Sequence, residues 1–173
     1  VIAFGSMATE GAMYDWSSVY FAQVVQPGES LVRVGYVACM SAMVLGRLMA
    51  DGLINRHGVT PVLQLSGLCI SGGMALSLAW PDLGCAAAGF ALVGFGMASI
   101  VPICYSLAGK SSRVPPQVGI SLVSSISFFG FLACPPAVGF LSHLAGLRWA
   151  LSPIVAVGLL IALAAPLLRR LRP

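Results

Sequence analysis

Two carboxylates, Glu10 and Asp15, stand inside a stretch, Val1 to Val25, that otherwise reads as a membrane-spanning helix. At the centre of a bilayer a carboxylate costs roughly 2.5–3.5 kcal/mol on insertion scales, so a spanning helix that carries two has a use for them. At about 1.5 Å per residue, Glu10 falls roughly 15 Å from Val1, near the middle of a hydrocarbon layer about 30 Å thick, and Asp15 about 7 Å farther on. A water-facing helix of a soluble protein would show the same pattern. Composition excludes that reading: 58 % of the residues are hydrophobic and 8 % charged, against about 25 % charged in a soluble domain. The chain reads as an all-α integral membrane protein.

Most of the charges fall between apolar runs, where a span must end because hydrocarbon cannot solvate them. The runs predict six spans, at about 1–25, 33–53, 61–80, 84–108, 117–143 and 149–168, separated by short turn clusters such as Asn55-Arg56-His57-Gly58 and Pro81-Asp82. Six crossings put both ends on one side. With those ends inside, Arg47, Arg56, Lys110, Arg113, Arg169, Arg170 and Arg172 lie at the inner boundary, and Arg33 and Arg148 at the outer one. That bias makes the ends cytoplasmic. The Arg169–Arg172 tail reads as a stop-transfer anchor, with nucleic acid excluded as a partner. The chain opens at Val1, already in apolar sequence, which predicts a piece of a longer chain.

The spans differ in character. The sixth is almost wholly apolar and can face lipid on most sides; the third carries Ser66, Gly67, Ser71, Gly72, Gly73 and Ser77, a surface for close helix packing. In the fourth, Pro102 frees a backbone carbonyl beside Tyr105 and Ser106, which suits a cavity wall. The fifth mixes serines with a Pro135-Pro136 break, a pattern expected of a mobile, cavity-flanking helix. The five cysteines are scattered without CxxC spacing, and neither histidine has ligand-spaced neighbours, so neither a metal nor a cofactor is expected.

The second span ends in Gly46-Arg47-Leu48 and continues to Gly58, and the fifth ends in Gly139-Phe140-Leu141 and continues to Gly146. Related segments at opposite membrane faces are what an inverted three-plus-three repeat predicts. The loop after the second span resembles the inner-face motif of the major facilitator superfamily, Gly-x-Leu-Ala-Asp-Arg-x-Gly-Arg-Arg, carried by Gly46, Arg47, Leu48, Asp51, Arg56 and Gly58. It departs from that motif by one extra residue between Gly and Asp, and by Val59-Thr60 in place of the basic pair. With Glu10-Gly11-Ala12-Met13-x-Asp15-Trp16-Ser17, it is similar to the fucose-permease-like and related bacterial branches. The resemblance spans the whole chain and implies the C-terminal six-helix half of a twelve-helix transporter, an N-terminal half lying elsewhere. It further implies that the first and fourth helices line a central cavity, the second and fifth flank it, and the third and sixth lie outside.

The function expected is transport of a small organic solute by alternating access, coupled to protons, across the bilayer of a bacterial inner membrane. Glu10 is the leading candidate for a titrating or substrate-binding group, because a carboxyl in apolar surroundings can exchange protons near neutral pH. Tyr14, Ser17 and Phe21 follow it at helical spacing, a stripe suited either to a polar solute or to a neighbouring helix. Asp15 is about 140° round the helix from Glu10, so the two carboxylates serve different surroundings, with Trp16 beside them. Arg47 and Asp51, four apart, can pair on one face near the inner boundary as a latch, with Gly46, Arg56 and Gly58 completing the gating loop, or form an interfacial ion pair worth under about 1 kcal/mol. Pro102 and Tyr105 join the pathway. An enzyme is disfavoured, since no Ser-His pair, paired carboxylates on one face or metal motif is present. The competing class is a non-transporting membrane receptor or assembly subunit.

Single cysteines in a cysteine-free background test the orientation. Positions 28 and 82 should react with an impermeant thiol reagent from outside while 57 and 112 are protected, and the reverse pattern overturns it.

Overall fold

The computed structural model describes residues 1–110 and 114–167, and every regular element among them is helical. The elements are α1 (Ile2–Tyr20), continued by a wider π turn over Phe21–Val25, α2 (Val34–His57), α3 (Val59–Ala79), α4 (Leu83–Met97), α5 (Ile100–Gly109), α6 (Pro116–Ala145), α7 (Leu147–Ala150) and α8 (Pro153–Ala164). Five helical stretches are long and apolar enough to cross a membrane: Glu29–His57, Val59–Ala79, Leu83–Gly109, Pro116–Ala145 and Leu147–Leu167. The first helix, expected as a sixth such span, is too polar to count among them. Its neighbours enclose it instead, and from Ile2 to Met13 it is buried at all but two positions.

Three local expectations are corrected. The Asn55–Gly58 cluster is not a loop, because α2 runs through His57 and Gly58 alone joins it to α3, at φ +83°. Only glycine enters that conformation without strain. Gly146 makes the same one-residue link between α6 and α7, at φ +80°. The fourth span is interrupted at Ala98-Ser99 and not at Pro102 itself, because Pro102 has no N–H to donate to the carbonyl four residues earlier, that of Ala98. The Ser99 hydroxyl lies 3.1 Å from that of Ser66 on α3, which ties down the interruption.

Pro135-Pro136 does not break α6, which passes through both prolines. The indole N–H of Trp16 donates to the Pro135 carbonyl at 3.0 Å. Gly11 brings the backbone of α1 so near the Phe131 carbonyl, which Pro135 deprives of its helical donor, that a β-carbon at Gly11 would stand 2.5 Å from it. Prolines are tolerated in spanning helices where a neighbour covers the freed backbone in this way.

The principal packing pairs are α1 on α6, α2 on α4, α3 on α4 and α3 on α8. Glycines set the spacing. Gly73 and Gly89 bring α3 and α4 backbone to backbone, Gly94 seats α4 on the Cys39 carbonyl of α2, and Gly67 and Gly158 do the same for α3 and α8. At the end of the bundle holding residues 80–82, the Tyr20 hydroxyl donates to the Ser77 carbonyl at 2.6 Å, and Tyr20 and Phe21 pack on Phe90 at 5.4 Å. Arg148 Nε donates to the Leu78 carbonyl at 2.8 Å, placing a cation on the negative end of α3. Asp82 caps α4 by accepting from the Cys85 and Gly84 N–H groups, and these donors hold its carboxyl below the ordinary aspartate range.

Adjacent glycines offer a controlled test of this packing. Gly73→Ala puts a methyl into the Gly89 carbonyl and should cost about 1–3 kcal/mol as overpacking, whereas Gly72→Ala, with nothing within 4 Å, should be neutral or slightly stabilising. Thermal unfolding in detergent distinguishes them, and equal midpoints would refute the close approach.

Candidate functional site

Most of the surface of α1 is spent on packing. The Thr9 hydroxyl turns back to the Gly5 carbonyl at 2.9 Å, which satisfies it without a partner helix. Tyr14 and Asp15 are the exposed exceptions in the middle of the helix. They open into a trough between α2 and α6, where the Tyr14 ring meets Tyr36 of α2 edge-on at 5.9 Å and Phe131 of α6 at 6.0 Å.

On the α2 side of this trough lies Glu10, 8 % exposed. Its Oε1 stands 3.6 Å from Nη2 of Arg47, whose side chain is 52 % exposed. The same guanidinium nitrogen lies 3.6 Å from the Met43 sulfur, which borders the pair. Arg47 is the fourteenth of the 24 residues of α2, so it sits mid-span and not at the inner boundary, because α2 continues to His57. It pairs with Glu10 and not with Asp51: among the described residues, no other ion pair closes within 4.0 Å. A buried carboxylate has far more to gain from a nearby guanidinium than an exposed one at the helix end. The boundary count that oriented the chain thereby loses Arg47, and Arg113, Arg169, Arg170 and Arg172 lie outside the described residues.

On the α6 side, Asp15 lines an open cleft of about 430 Å³ with Trp16, Phe131, Leu132, Pro135 and Pro136. Glu10 and Asp15 thus face different helices, as their angular separation requires. The stripe following Glu10 divides. Tyr14 is open, Ser17 is buried with no hydrogen-bond partner for its hydroxyl among the described residues, and Phe21 is buried against Gly35 and Phe90. Trp16 spends its N–H on α6. Pro102 is exposed and Tyr105 half-buried on α5; Gly46 is a packing contact against Ala98 and Phe95, while Asp51, Arg56 and Gly58 are exposed at the far end of α2. Tyr36 and Met43 carry no signal in the sequence of α2 alone; only the packing of α2 beside α1 brings them to the trough. Among the described residues no three His, Cys, Asp or Glu side chains gather as metal ligands.

The pair can be tested in the full-length protein. Arg47→Gln leaves Glu10 enclosed without a cation and should lower stability by about 1–2 kcal/mol, below the about 3–5 kcal/mol of a fully buried pair because Arg47 is half exposed. Adding Glu10→Gln should restore most of that loss. Additive losses in the double variant, measured by thermal unfolding, would show that the two side chains do not interact.

Three known proteins are similar to the chain over nearly all of its length. A membrane protein of Rhizobium meliloti, MosC, is 37 % identical over 164 residues, covering 95 % of this chain and 40 % of that protein. An uncharacterised MFS-type transporter of Yersinia pestis is 32 % identical, over 95 % of this chain and 43 % of its own length. The uncharacterised transporter y4wD of Sinorhizobium fredii is 34 % identical, over 98 % and 45 %. The chain therefore spans somewhat under half the length of these relatives. No protein-family model matches it, and no solved structure does. By these similarities and by its bundle of long apolar helices, the chain is a helical integral membrane protein related to MFS-type transporters.

Proposed function

We propose that this chain is the C-terminal six-helix half of a secondary transporter that moves a small organic solute by alternating access, driven by protons, in a bacterial inner membrane with both ends of the segment cytoplasmic. The observation that carries the reading is the mid-span Glu10–Arg47 pair, set beside an open trough on a helix otherwise buried. Lipid is a poor neighbour for such a face, and a second six-helix bundle would enclose it as the other wall of a solute path. The lengths of the relatives, somewhat over twice that of this segment, leave room for one.

Two features support an inverted three-plus-three repeat. Exchanging spans one, two and three with four, five and six carries the α1–α6 contact onto that between the fourth and second spans, and the contact between spans three and six onto itself. The one-residue glycine links, Gly58 after the second span and Gly146 after the fifth, correspond under the same exchange. In this scheme Glu10 is the proton-carrying group and Arg47 its counter-ion. Tyr14, Asp15, Trp16, Pro102 and Tyr105 bound the path, and Gly46, Asp51, Arg56 and Gly58 form the gating end of α2. The chain acts as a carrier and not as a catalyst.

Glu10→Gln keeps shape but removes titration. In full-length protein reconstituted in liposomes it should reduce accumulation driven by a pH gradient by about tenfold or more, while downhill exchange of the same solute continues. Normal pH-driven accumulation in this variant would remove Glu10 from the coupling step.

A further inference from the structure

We infer that the trough takes a small organic cation, an amine or quaternary ammonium, with Asp15 as its counter-charge. This rests on the transport reading above and narrows it to a class of solute. The charges of the trough give the first reason. Glu10 and Arg47 form a pair and offset one another, whereas Asp15 has no cation within 4.0 Å among the described residues and makes no hydrogen bond to them. Among the described residues the trough therefore carries one uncompensated negative charge on a helix of a membrane protein, where such a charge is costly. A cationic solute removes that cost; a neutral polyol leaves it and an anion adds to it.

The rest of the cleft matches the same chemistry. Trp16 and Phe131 line it beside Asp15, and aromatic faces attract desolvated cations. Tyr14, edge-on to Phe131, extends the aromatic wall toward α2. Pro135 and Pro136 remove two N–H donors from α6, so the carbonyls of Phe131 and Leu132 lose their helical partners on two residues that line the cleft. The Phe131 carbonyl is covered by Gly11. That of Leu132 remains an acceptor without its helical donor. A largely apolar cleft of about 430 Å³ with one carboxylate among aromatic side chains suits a small cation that carries apolar or methylated groups around its charge.

The test uses the full-length protein in detergent and four probes: choline and its uncharged carbon isostere, and glucosamine and glucose. Calorimetric titration should show at least one cation binding and its neutral counterpart binding about tenfold more weakly or not at all, the effect of one charge-assisted contact. Asp15→Asn should abolish that preference, Asp15→Glu should retain it in part, and Phe131→Leu should weaken the cation alone. Binding of neither cation, or a preference unchanged in Asp15→Asn, overturns the inference. Counterflow of the bound cation in liposomes separates the two readings: specific binding without flux keeps the cation site and removes transport, whereas flux of a neutral solute that is indifferent to Asp15 keeps transport and removes the cation site.

Discussion

Backbone-to-backbone contact at glycine is the constraint on which this bundle depends. Lipid tails are as apolar as leucine, so helices in a bilayer gain little by hiding hydrophobic side chains from it and hold together through close packing and shared polar contacts. Here Gly73 meets Gly89, Gly94 meets the Cys39 carbonyl, and Gly67 meets Gly158. With α3 and α4 drawn together in this way, Ser66 reaches Ser99 across the interruption of the fourth span, and Ser77 lies within 3.2 Å of the Ala86 carbonyl. At the corresponding end of the bundle Tyr20 and Arg148 reach the carbonyls that finish α3. Little polar backbone is left to lipid at these places, although the sequence interrupts its helices with proline.

The same economy explains the first helix. Its composition alone makes it the poorest spanning segment of the six, yet it is among the most enclosed. Gly11 and Trp16 fit it to α6 at the two prolines, and Arg47 supplies a counter-charge to Glu10. What remains open is the strip around Tyr14 and Asp15. A polar helix is affordable in hydrocarbon when neighbours take up its polar groups, and the few left uncovered are then the ones available to a solute.

Much of the architecture was legible in the residues. Long apolar runs separated by short breaker clusters mark the helices, because a bilayer demands about 20 apolar residues per crossing and leaves nowhere else for charge. The packing character of the third span, read from its serines and glycines, agrees with its burial against α4 and α8. The separation of Glu10 from Asp15 followed from helical geometry alone. Other readings failed for identifiable reasons. A basic residue ordinarily marks a boundary, and residues four apart on a helix can pair, so Arg47 by itself reads as a boundary residue within reach of Asp51; neither rule sees a carboxylate on another helix. Pro135-Pro136 reads as a break when α6 is considered by itself. The likeness between the second and fifth spans lies in their glycine turns, since Gly46 and Gly139 stand twelve and seven residues before Gly58 and Gly146.

By itself, the sequence determined that the chain is helical and membrane-embedded, roughly where each helix runs, and that Glu10 and Asp15 are out of place in hydrocarbon. These follow from local rules of length, polarity and periodicity, which a single segment obeys or breaks. Only the tertiary structure decided that Glu10 has Arg47 for a partner while Asp15 has none among the described residues, that Ser17 and Phe21 are buried while Tyr14 is open, and that α6 survives its prolines. Each of those depends on which helix lies alongside, and contacts between segments far apart in the chain leave no periodic trace in either one.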